Sequence, residues 1–244
     1  MGFDEGVQGF CIKNPHLSKN GFTICIEIEI ERKIPFFSLE WPQEDTMIHP
    51  DTELRFINDQ IGYGVFATKL ILEGTIVYVK DSLEHVISPT DYLMHAPAVQ
   101  EQIDKYCYID EDGNRIVSWD FAKYVNHCCN CNTISTGYGF EIAIRDIAAG
   151  EQITDEYGIF NLGRELTLLC GEHNCRMRIA IDDFELHYQD WDRKIRASIQ
   201  KLFDVPQPLM PFVDEHTRGE LDALYVNPEH YKSVYALKNK SSSL

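Results

Sequence analysis

Lys123-Tyr124-Val125-Asn126-His127-Cys128-Cys129-Asn130-Cys131-Asn132 places three thiols, an imidazole and three side-chain amides within ten residues. Groups of this kind at this density do not serve a plain apolar core. Asn126 can hold a ligand through both its donor and its acceptor. His127 admits three readings: a catalytic group, a metal ligand, or a structural donor to backbone. Downstream, Arg145-Asp-Ile-Ala-Ala-Gly-Glu-Gln-Ile-Thr-Asp-Glu-Tyr-Gly158 reads as a strand, a turn at Ala149-Gly150, and a second strand ending near Tyr157. Upstream, Gly62-Tyr63-Gly64-Val65-Phe66-Ala67 precedes Glu73-Gly74-Thr75. Two glycines one residue apart permit a sharp turn or a close backbone approach to a ligand. The third glycine and the strand–turn–helix setting of a dinucleotide fingerprint are missing.

The 244 residues are 44% apolar, enough for one large domain with appendages and a buried core. No apolar run approaches the roughly 20 residues of a membrane span. The opening residues lack a secretory pattern and fit the myristoylation pattern poorly. A soluble intracellular protein without a membrane role is therefore expected. A net charge of −17 excludes nucleic-acid binding through a basic face and suits a basic peptide partner. Cys128, Cys129, Cys131, Cys170 and Cys175 crowd two short segments, which in such a chain points to metal rather than to disulfides.

Around these segments the pattern is of short strands with irregular connections: Gly64–Leu72, Thr75–Val79, Phe140–Ile144 and Gln152–Thr154. A further strand is expected over Phe22–Ile30 and a helix over Asp91–Lys105. From Asp182 onward Phe184, Tyr188, Trp191, Ile195, Ile199 and Leu202 fall at helical spacing, and the prolines of Val205–Pro211 are expected to stop that helix. A second amphipathic helix is expected from about Glu215 to Tyr225, then a frayed tail.

Taken in order, the three motifs resemble the SET domain, which pairs an early G-x-G-x-F-A turn with an N-H-x-C stretch and a closing G-E-E-(L/I)-T-x-D-Y. Gly62–Ala67, Asn126–Asn132 and Gly150–Gly158 stand in those places, with Lys123-Tyr124 where Arg-Phe is usual. Cys170-Gly-Glu-His-Asn-Cys175-Arg176 resembles the post-SET motif with its first cysteine replaced by Leu168. The resemblance implies a mainly β fold with α additions: small curved sheets of the β-clip type around a pseudoknot, plus a C-terminal helical extension. It divides the chain into an N-terminal segment of unassigned role (1–50), the SET domain (51–165), a zinc loop (166–180), and the helical extension and tail (181–244).

What the resemblance implies for function is S-adenosylmethionine-dependent methylation of a lysine on a basic protein or peptide, histone tails first. Gly62, Tyr63, Gly64, Asn126, His127 and Tyr157 would hold the cofactor, with Tyr157 the catalytic tyrosine. Cys129, Cys170 and Cys175 would ligate a structural zinc, with Cys131 supplying the fourth bond; His173 and Cys128 are its rivals. The chemistry explains these types. Methyl transfer from a sulfonium to an amine is an in-line displacement that needs alignment more than a protein nucleophile. A free lysine, with a pKa of about 10.4, must lose a proton first. Two departures stand out. Asp155 occupies the position where Tyr or Phe helps set how many methyls fit, and Glu156 replaces the usual Asp. Tyr108, Tyr138 and Phe160 are candidates for the missing channel wall. A methyltransferase of a non-histone protein, and a SET-like interaction module without catalysis, are the alternatives.

Overall fold

The computed structural model describes residues 47–168 and 170–240. The strand expected over Phe22–Ile30, with Cys11 and Cys25, lies outside the described residues.

The described residues begin with an antiparallel hairpin of β1 (Thr52–Asn58) and β2 (Gly62–Ala67), turned at Gly62, whose φ of +83° lies in the left-handed region that glycine alone adopts freely. The segment after Gly150 runs beside β2: the Ala67 N–H donates to the Glu151 carbonyl at 2.9 Å and the Ile153 N–H to the Val65 carbonyl at 2.8 Å. β3 (Ile76–Val79) is buried at every position and belongs to a sheet described below.

After β4 (His85–Ile87), the single helix expected over Asp91–Lys105 is two: α1 (Pro89–Met94) and α2 (Pro97–Tyr106). The break is Pro97, which has no N–H to donate and drives Ala96 into an extended conformation. Ser88 caps α1 by accepting the Asp91 N–H. β5 (Cys107–Ile109) and β6 (Arg115–Val117) follow, and β4, β6 and β5 form one antiparallel sheet in that order.

The next strands cross. β7 (Asn126–His127) pairs in parallel with a later strand, β10 (Thr154–Asp155), in the register Asn126 to Thr154 and His127 to Asp155. Between them β8 (Thr133–Ser135) and β9 (Phe140–Ala143) form a hairpin that joins β3 in the order β3-β9-β8. Asn132, almost fully buried, clamps the crossing. Its Nδ2 donates to the Gln152 carbonyl at 2.8 Å, and its Oδ1 accepts the Thr154 N–H at 2.9 Å. These are the small sheets expected of a mainly β fold with α additions.

A two-pair ladder of β11 (Leu166–Thr167) and β12 (Arg178–Ile179) then leads into α3 (Asp183–Ile199). The helical spacing read from the sequence holds: Phe184, Trp191, Ile195 and Ile199 are buried against Ile134 and Ile142 of the β3-β9-β8 sheet. The helix ends at Ile199, ahead of the expected prolines, where the chain tightens and the Lys201 N–H donates to the Ser198 carbonyl. α4 (Glu215–Val226), capped by Asp214, closes the same core with Leu221 and Leu224. Residues 231–237 return to α3, where Asp192 accepts the Tyr231 hydroxyl at 2.7 Å, the Ser233 hydroxyl at 2.5 Å and the Val234 N–H at 2.8 Å. A second apolar cluster, with Ile48, Val65, Ile71, Ile147 and Ile153, lies under the β1–β2 hairpin. Among the described residues no helix is long and apolar enough to cross a membrane.

Candidate active site

The crossing brings three sequence-predicted residues together. Asn126 and His127 form β7, and Tyr157 follows β10 directly. The Asn126 Nδ2 donates to the Tyr63 carbonyl at 3.0 Å, tying β7 to the glycine hairpin. The reason for Gly64 is steric. A Cβ there would meet the Ile57 Cδ1 and the Gln152 Nε2 at 2.7 Å and the Asn126 Nδ2 at 3.0 Å. Tyr63 continues outward in a chain of rings, 5.5 Å from Phe56 and 5.7 Å from Tyr124.

His127 has the structural contacts of a rivet. Its Nδ1 lies 3.1 Å from the Asp155 carbonyl and 3.3 Å from the Tyr157 N–H, and its Nε2 lies 3.3 Å from the Cys129 sulfur. Burial holds its pKa below the usual histidine value, against the pull of nearby Glu156. Tyr157 donates its hydroxyl to the Val125 carbonyl at 2.7 Å and packs on Phe160, with ring centroids 5.0 Å apart. Burial, followed by the charges of Asp155 and Glu141, pushes its pKa up, so the hydroxyl stays protonated.

Asp155, the expected departure, is fully buried. Its Oδ1 accepts the Glu156 N–H at 2.7 Å and its Oδ2 the Ser135 hydroxyl at 3.3 Å. Of the three candidate wall aromatics, Tyr108 and Phe160 line a small pocket of about 70 Å³, together with Tyr78, Lys80, Ser135 and Glu141. Tyr138 does not: it is buried in the main core against Tyr231, and its hydroxyl accepts the Lys232 N–H. Phe184 and Trp191 are likewise core residues, in edge-to-face contact at 5.5 Å.

The sulfurs of Cys129, Cys170 and Cys175 lie within 4.8 Å of one another, close enough to hold one metal ion. Cys131 is not in this group; its side chain is buried next to the acidic residues Asp155 and Glu156. Cys128 is the thiol that reaches the group, by a hydrogen bond to Cys170. The surroundings fit a thiolate-bound metal, because backbone amides point at all three sulfurs: Arg176 to Cys129 at 3.3 Å, Cys129 to Cys170 at 3.5 Å and Met177 to Cys175 at 3.3 Å. Although burial opposes it, these donors and the neighbouring thiols hold Cys170 down to about 7.

Sequence reasoning missed the bridge that joins this cluster to the crossing. Arg176 donates to the Glu156 Oε1 at 2.5 Å and lies 3.3 Å from the Asp183 Oδ2 at the start of α3. The only local signal was the Cys175-Arg176 pair, whose acidic partners are distant in sequence.

Residues 62–158 match the family model of the SET domain. The chain is similar to "Putative histone-lysine N-methyltransferase 1" of Plasmodium falciparum (isolate 3D7), at 28% identity over 135 residues, covering 48% of this chain and 2% of that protein. It is also similar to the "Variant-silencing SET domain-containing protein" of the same organism, at 28% over 137 residues, covering 48% of this chain and 5% of that protein. The chain thus spans only a small part of the relatives it matches.

Proposed function

Over residues 62–158 the chain belongs to the SET-domain family, and from that premise we propose that it methylates a lysine of a basic protein, with S-adenosylmethionine as donor. The observation that carries this reading is the meeting of Asn126, His127 and Tyr157 at one crossing, against the glycine hairpin. A binding scaffold has no need of that set.

When bound, the donor supplies a methyl group on a sulfonium. The backbone around Gly62 and Gly64, Tyr63 and the Asn126 amide would hold it on the hairpin side. His127 would act through position, linking the crossing to Cys129. Tyr157, neutral and anchored on the Val125 carbonyl, would turn its hydroxyl oxygen toward the reacting methyl and orient the incoming amine. The Tyr108 and Phe160 rings would keep water from the amine. Cys129, Cys170 and Cys175 would hold a structural zinc, a cross-link between crossing and cysteine loop, with Cys128, which bonds to Cys170, in place of Cys131 as the fourth ligand. Histone tails are the first substrate class, on the net charge of −17 and the name of one relative.

The test is transfer of radiolabelled methyl to core histones and to a cell lysate. Label on a defined protein should fall about 10²–10³-fold in Tyr157→Phe and in Asn126→Ala, by loss of transition-state alignment. A peptide array then separates histone from non-histone targets. Donor binding without turnover on any substrate would replace the enzyme by an interaction module.

A further inference from the structure

The helical extension carries a cavity to which the methyltransferase reading gives no task. It measures about 230 Å³, against about 70 Å³ for the pocket beside β9, and lies where the end of α3 meets α4. Ile199, Phe203, Leu224, Tyr225 and Pro228 make most of its wall. Phe203 and Tyr225 meet there in edge-to-face contact, with ring centroids 4.7 Å apart, and both rings are exposed. A concave space with an aromatic rim and a few polar groups is what a small-molecule site presents. No lining residue belongs to the crossing, the glycine hairpin or the cysteine cluster.

The lining holds one cation and no carboxylate, which makes it locally positive in a chain of net charge −17. The cation is Arg196, and it differs from its neighbours on α3. His187 faces Asp183, and Arg193 and Lys194 both face Asp190. Among the described residues Arg196 has neither a carboxylate partner nor a hydrogen-bond acceptor, and its guanidinium lies over the Tyr231 ring, 3.9 Å from the centroid. That ring is fixed in turn, because its hydroxyl donates to Asp192. Asp192, the acid one turn back on α3, is already taken up by Tyr231, Ser233 and Val234. A guanidinium stacked on an anchored ring keeps its fork of donors in place, so little freedom is lost when an anion arrives. Gln200 adds a carboxamide to the same wall.

We propose that this cavity binds a small carboxylate with an aromatic tail, at a ligand site separate from the methyl-transfer site. The Arg196 guanidinium donates paired N–H bonds to the carboxylate, and the tail enters among Ile199, Leu224 and the rim rings. The room is sufficient. A closed apolar cavity of roughly 150 Å³ already takes a benzene ring, so about 230 Å³ admits a ring with a short acidic arm. A simple anion would satisfy the arginine and leave the apolar wall in water; a plain hydrocarbon would leave the arginine unpaired. The walls come from helices and helical turns, with no strand edge for a peptide to extend. Leu224 and Tyr231 also belong to the core around Trp191, so a bound ligand stabilises that core by mass action.

The test uses the full chain and three probes: hydrocinnamate, hydrocinnamyl alcohol and acetate. Binding is followed through backbone amide shifts at Gln200 and Tyr225 and through the thermal unfolding midpoint. Hydrocinnamate should bind at least about tenfold more tightly than the alcohol, through its charge, and than acetate, through its ring. It should also raise the unfolding midpoint. Arg196→Gln, at an exposed position, should keep the fold and bring acid and alcohol to equal affinity. Tyr225→Ala should weaken hydrocinnamate about threefold or more and leave acetate unchanged. Equal binding of acid and alcohol to the wild type, or a preference that survives Arg196→Gln, overturns the carboxylate site. Acetate binding as tightly as hydrocinnamate leaves only an arginine that attracts anions and overturns the cavity. Shifts confined to Tyr108 and Phe160 put the probe in the pocket beside β9 and overturn it equally. A blocked peptide with phenylalanine next to aspartate that binds where hydrocinnamate does not would replace the small molecule by a protein partner.

Discussion

The crossing and the cysteine loop are neighbours held by different means. At the crossing, a two-residue parallel ladder is backed by a buried asparagine clamp and flanked by the Ile153 and Ile159 side chains, both nearly sealed from water. In the loop, an equally short ladder of two pairs has Ile179 as its buried member, while Met177 is 61% exposed at a left-handed φ of 59°. Equal ladders therefore carry unequal weight. Where apolar burial is available it does the holding, and where it is scarce the Arg176 bridge and, on the proposed zinc, three thiols would take over.

The largest expected effect is on the burial side. Trp191 is 2% exposed, and a Cβ on Gly158, just past the crossing, would come within 2.9 Å of its ring. Trp191→Ala should cost about 3–5 kcal/mol in urea unfolding and release crossing and core in one transition. A crossing that survives while the core melts would break the link drawn here. Next in size is removal of the tie in the loop. Chelation by 1,10-phenanthroline, or Cys175→Ser, should raise amide hydrogen exchange in residues 164–179 at least about tenfold while β7 and β10 stay protected. Metal analysis should find about one zinc per chain before chelation. Exchange that rises equally in both regions would merge them into one cooperative unit. Smallest is Arg178→Ala, which removes an exposed pair with Glu165 across β11 and β12 and should change stability by less than about 1 kcal/mol.

The same contrast governs what could be read in advance. Asn126, His127 and Tyr157 were legible because their chemistry sits in short strings whose order mirrors the crossing. Trp191 and Ile195 were legible because helical spacing is written locally. Glu141 was invisible: inside Phe-Glu-Ile-Ala it reads as the polar position of a strand, and Asp155, with which it shares a hydrogen bond, is brought to it by the β8–β9 hairpin. The β4-β6-β5 sheet was missed because three-residue strands carry almost no pattern. Tyr138 was misleading for the same reason that Tyr108 was helpful. An aromatic near a strand end has the same look whether it faces a pocket or a core.

The grip of Asp192 on Tyr231, Ser233 and Val234 has a consequence in time. A chain emerging from the ribosome presents β7 and β10 long before α3 or Val234 exists, and domains complete folding only when their last core residues are available. The pocket beside β9 must therefore wait, half made, for a segment whose last residue, Leu237, completes its lining. A ribosome stalled before residue 231 should carry a chain that cannot yet seal the Trp191 core, and protease sensitivity of such stalled chains, dropping sharply once residue 237 has cleared the exit tunnel, would record the moment of closure.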